Sequence, residues 1–202
     1  MPQSKLYRAL SSEIKALGRT YLNFAPRPVG NYTRRQLSAA AAYTLFAHAE
    51  FENFLEGWAS LIVEAALDKW RAQRATKPIA HLCTFSDGRN SLSSVPSKDI
   101  WNELVFGSVV KQRNVISANN GIKEESVCHL FGPTGFDVRT VDPILLGDLS
   151  AFGGLRGDHA HTSHRVQMGN AFDPFSRKVK AESLVILLAD FDTQLQGYFR
   201  QI

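Results

Sequence analysis

Cysteine is scarce. Cys83 and Cys128 are the two in 202 residues, and they share no C-x-x-C spacing. That argues against a disulfide framework or a thiolate zinc scaffold and fits a reducing compartment, so the cytoplasm is the expected location. Residues 1–10 are polar and lack the apolar centre of a signal peptide, and no apolar run nears the roughly 18 residues that a membrane span needs. No contact with a membrane is therefore expected. Alternating apolar and polar runs are missing too, as is any internal repeat, which leaves an all-α fold. The chain is neither charge-rich nor apolar-poor, at 21% charged and 44% hydrophobic residues, so it reads as an ordered globular protein. Its length suits a single core: residues 1–30 are expected to form an N-terminal helix and linker, and 31–202 a core bundle.

What charge there is lies unevenly. The net charge is +4, yet residues 1–40 alone carry seven basic groups against one acid, Glu13, a balance of +6 that leaves −2 for the rest. A polyanion would thus meet the N-terminal segment, where Arg34 and Arg35 are candidate phosphate contacts. A solvated helix face explains the same run equally well.

Leu6, Leu10, Ile14, Leu17 and Tyr21 recur at steps of three and four, predicting an amphipathic helix over 4–24 that Pro26, Pro28 and Gly30 end. Asn31 or Thr33 can cap the next helix. Residues 34–74 contain no proline and one glycine, predicting one long central helix with broad apolar faces that include Leu45, Phe46, Phe54, Trp58, Leu61 and Ile62. The stretch 76–96, rich in Ser, Gly, Asn and Pro, reads as a long excursion. Helices over 98–115 and 123–130 follow. Asp142-Pro143 and Asp173-Pro174 are helix-start signals, opening helices over 143–164 and 174–199.

The chemistry collects in one place. Gly147, Gly153, Gly154 and Gly157 interrupt the helical pattern after Asp142, each at a cost of about 1 kcal/mol relative to Ala, which suggests close approach of a backbone or ligand. Directly after come Arg156, Asp158, His159, His161, His164 and Arg165, with three of the six histidines of the chain. An arginine can hold two phosphate oxygens in its planar fork, and a histidine can move a proton at neutral pH. Asp158, His159, His161 and His164 could also share a cation, but with no cysteine or further acid nearby no metal is expected.

Arg156 and His161, four residues between them and followed by Thr162-Ser163, resemble the Arg-x4–6-His motif of HEPN domains. Asn119-Asn120-Gly121-Ile122-Lys123-Glu124, Asp148-Leu149-Ser150-Ala151-Phe152-Gly153 and the long-helix phrase His48-Ala49-Glu50-Phe51-Glu52-Asn53-Phe54-Leu55 are similar to the RiboL-PSP-HEPN subgroup. The likeness covers roughly residues 35–165. It implies an HEPN-like antiparallel helical bundle with a long central helix, acting as a homodimer in which two motifs face one cleft. It also implies a metal-independent endoribonuclease, without cofactor, in which the RNA's own 2′-OH attacks to leave a 2′,3′-cyclic phosphate. The system-level role implied is a toxin or phage-defence effector with a cognate antitoxin or defence partner. Gly157 stands where many HEPN proteins have Asn, and that position gets no positioning role here. A non-catalytic HEPN module that binds RNA, a nucleotide or a partner protein is the alternative.

In this reading Arg156 clamps the scissile phosphate and His161 transfers the proton. At about 100° per residue, however, His159 falls nearer the Arg156 face than His161, which is about 140° away. The resemblance favours His161 and regular helical spacing favours His159. Asp158 could orient His161, Thr162 is a candidate supporting hydroxyl, Glu50 a candidate acid, and Arg165 a further RNA contact.

Overall fold

The computed structural model describes residues 2–86, 98–161 and 173–202, with only the helical backbone described at 86, 98–99 and 156–161. Helices α1 (Lys5–Tyr21), α2 (Arg34–Arg71), α3 (Lys77–Ser86), α4 (Lys98–Ser117) and α5 (Glu124–Phe131) are followed by 3-10 turns at Gly132–Thr134 and Val138–Thr140. Helices α6 (Pro143–His161) and α7 (Pro174–Phe199) complete the fold, and no strand occurs among the described residues. The all-α expectation holds.

Local chemistry starts most of these helices where the sequence suggests. Ser4 caps α1 by accepting from the Tyr7 N–H. Thr33, rather than Asn31, caps α2 in a reciprocal box with Gln36. Asp173 accepts from the Phe175 and Ser176 amides and Pro174 opens α7. One expectation fails. Residues 77–86 are helix α3, not irregular chain, because Ile79 and Leu82 bury one apolar face while the His81 ring packs over Gly135. Gly135 has φ +81°, and a Cβ there would lie 2.5 Å from His81 Cδ2, so only glycine lets α3 dock this closely. Residues 87–97 of the expected excursion lie outside the described residues.

The long helix α2 is the hub, touching α1, α3, α4, α5, α6 and α7. Its Tyr43, Ala47, Phe51, Phe54, Leu55, Trp58, Ile62 and Val63 are buried, and each large apolar side chain so buried contributes about 1.5–3 kcal/mol. Leu45, Phe46 and Leu61, expected on the packed faces, are 48%, 44% and 45% exposed. Partners cover α2 at different heights, so an apolar position is enclosed only where a neighbour reaches it. Phe46 stacks on Tyr21 instead, 5.4 Å between centroids.

Directions follow from pairs. Gly57 of α2 lies against Leu6 near the start of α1, while Gly18 near the end of α1 lies against Tyr43 and Lys178. Helix α1 therefore runs antiparallel to both α2 and α7, and those two run parallel to each other. Gln194 near the end of α7 donates to the Thr140 carbonyl just before α6, whereas Asp148, Ala151 and Phe152 share a groove with Val179, Lys180 and Ser183. Helix α6 is thus antiparallel to α7 and α2.

Candidate functional site

Helix α6 begins as the Asp-Pro signal requires, with Asp142 Oδ1 accepting from the Ile144 N–H at 2.9 Å. Leu145, Leu149 and Phe152 form its buried face, and the Phe152 ring meets Phe51 edge-on at 5.5 Å. Of its glycines, Gly153 makes the expected close approach: a Cβ there would sit 3.2 Å from Lys123 Cγ and 3.3 Å from Ile122 Cγ1. The Ser150 hydroxyl accepts from the Glu124 N–H beside it, tying the start of α5 to α6. At Gly147 and Gly154 nothing lies within 4 Å of such an atom, so no neighbour accounts for those two.

Past Phe152 the helix stays α-helical through His161. Because α6 opposes α2, its last turns pass the His48 level and head for the end of the bundle where α2 and α7 begin. Arg34 and Arg35 are exposed there in the first turn of α2, about 10 Å beyond the end of α6 by helical rise. The side chains of Arg156, Asp158, His159 and His161 lie outside the described residues, as do Thr162, His164 and Arg165 altogether. A continuous helix keeps His159 on the Arg156 side and His161 about 140° round.

Glu50 is brought to a different side. It is half-buried, and burial together with Glu13 of α1 pushes its carboxyl above its ordinary 4.5. Two neighbours on α2 meet each other instead. His48, 2% exposed, has Nδ1 3.4 Å from Glu52 Oε2, one turn from the Phe51–Phe152 contact. Their i, i+4 spacing was the available signal. Among the described residues no group of three His, Cys, Asp or Glu could hold a metal ion, and no helix is long and apolar enough to cross a membrane.

Comparison with protein-family models, curated proteins and solved structures finds no match to this chain.

Proposed function

We propose that the chain is an HEPN-type endoribonuclease, with Arg156 clamping phosphate and His161 moving the proton that activates the ribose 2′-OH or protonates the departing 5′-oxygen. The observation that carries this reading is the course of α6, an unbroken helix through Arg156 and His161 that heads for the bundle end holding Arg34 and Arg35. A phosphate backbone drawn to those cations would pass the end of α6. The guanidinium would offset charge growing on the phosphoryl oxygens, and the nucleophile would come from the RNA, leaving a 2′,3′-cyclic phosphate. A homodimer that sets two α6 ends face to face is part of this proposal, because 140° separates Arg156 from His161 on one helix. An antitoxin or defence partner would hold such an activity in check.

Gly157 favours a second reading in which the same end binds RNA without cutting it. The test is incubation of the purified protein with total RNA in excess chelator, beside Arg156→Ala, His161→Ala and His159→Ala. Cleavage with cyclic-phosphate ends is expected from the parent, falling at least about 100-fold in the first two variants. Full cutting by an Arg156→Ala/His161→Ala double variant would refute the mechanism. Binding without cutting by every form would establish the second reading, and loss in His159→Ala alone would move the proton transfer to that residue.

A further inference from the structure

At the other end of α2 lies a cleft of about 410 Å³, lined by Trp70, Gln73, Ala75, Trp101 and Asn102. We propose that it binds a nucleotide, remote from the end of α6. Trp70 is 19 residues past Phe51 on the same helix, roughly 28 Å along its axis in the opposite direction from Arg156.

The lining suits a flat heteroaromatic ring. Two of the three indoles of the chain meet here, beside two side-chain carboxamides and, among the described residues, no carboxylate. Indole faces stack on any base, and a carboxamide offers a donor and an acceptor to a base edge. An apolar peptide segment would offer no partner to the Gln73 carboxamide or to the Asn102 amide N–H groups. Trp70 is already held in place, its Nε1–H donating to Asn102 Oδ1 at 3.0 Å, so one wall is fixed before a ligand arrives. Trp101, 38% exposed, supplies the open platform.

Gln73 adds an independent observation. Helix α2 ends with the Gln73 N–H donating to the Trp70 carbonyl and the Arg74 N–H to the Lys69 carbonyl, a closure that puts Gln73 in the left-handed region, φ 61°. Glycine is the usual occupant there and costs no strain. A glutamine kept in a strained conformation on the wall of a cleft points to use of its side chain. Arg71 pairs with Asp68 and Lys77 lies over the Tyr198 ring, so the cations next to the cleft in sequence and left for a phosphate are Arg74, beside Gln73, and Lys69, beside Trp70.

Tryptophan emission reads this site directly, since the third indole, Trp58, is buried and bound to Asp192. The intact protein is titrated with AMP, UMP, ribose 5-phosphate and a single-stranded oligoribonucleotide, in an Arg156→Ala background so that cleavage plays no part. Quenching by the nucleotides, with ribose 5-phosphate at least tenfold weaker, is expected. Trp101→Ala should weaken nucleotide binding about tenfold with an unchanged far-UV spectrum. Gln73→Gly should raise the melting temperature yet weaken binding, which a purely structural glutamine would not do. An oligonucleotide at least tenfold tighter than the mononucleotides assigns the site to an RNA strand, and equal affinities assign it to free nucleotides. Absence of binding, or nucleotide binding equal to that of ribose 5-phosphate and unaffected by Trp101→Ala, overturns the proposal. Either result leaves the cleavage assay untouched.

Discussion

The two ends of the α1–α2–α7 core are held by different chemistry. Near the end of α7, the buried carboxylate of Asp192 accepts from the Ser4 amide and hydroxyl, from Trp58 Nε1 and from Gln196 Nε2. One side chain thereby joins the start of α1, the middle of α2 and α7 itself. At the opposite end, where α6 finishes, the joins are local caps at Thr33 and Asp173, edge-on contacts of Phe24 with Tyr32 and Phe175, and one longer polar link in which Tyr32 OH accepts from the Arg27 N–H and donates to Asp173 Oδ1 at 3.3 Å. A buried hydroxyl there, Tyr43 OH, has no hydrogen-bond partner among the described residues. A multiply satisfied buried carboxylate sets one geometry and makes it costly to leave, whereas caps, ring contacts and the single Tyr32–Asp173 bond tie the helices less firmly to one another. The candidate RNA site sits at the end with the weaker polar ties.

Asp192→Ala breaks this comparison most severely. It leaves the Trp58 and Ser4 N–H donors without acceptors, and at about 1–3 kcal/mol for each orphaned group the expected loss is about 3 kcal/mol or more in urea unfolding. A loss under 1 kcal/mol would show that the network contributes no more than the caps.

Tyr43→Phe should act in the other direction. Removing a buried, unpartnered hydroxyl, whose phenol burial and Glu182 push upward, is expected to raise stability by about 1 kcal/mol. Tyr7→Phe is its control near the Asp192 end, because Tyr7 OH donates to the Val185 carbonyl at 2.9 Å and its removal should destabilise. Equal effects from both would erase the contrast.

The smallest effect concerns Glu50. Its carboxyl is raised in the folded protein, so between the unfolded and folded values the native state binds more protons and stability falls as pH rises. Glu50→Gln should therefore add under about 1 kcal/mol near pH 7, with the gain vanishing below pH 4.5, when both states are protonated. A gain that persists at low pH would trace to packing rather than to charge.

Much of this fold can be read along the chain, because caps and glycine–proline stops act within a few residues. Asp173-Pro174 and the end at Phe199 bound α7 as expected, and α2 departs from its expected 34–74 by three residues at one end. Helix α3 is the contrast. Its residues carry loop-like neighbours, and what makes them helical is a docking face on α4 and on the turn before Gly135, which no local window contains. The same holds for the burial of His48, the exposure of Leu61, and the meeting of Trp70 with Trp101, two residues 31 apart on different helices.

For the candidate site, the residue types and spacing of Arg156, His159 and His161 are fixed by sequence, and with them the angle between the two histidines on any regular helix. Tertiary structure alone decided that α6 opposes α2 and so heads toward Arg34 and Arg35, and that Glu50 turns to α1 while His48 is buried beside Glu52. Helix starts and stops are written in short-range hydrogen bonding and backbone preference. Which faces meet depends on the packing of all the helices together, since burial is a property of neighbours and not of a residue.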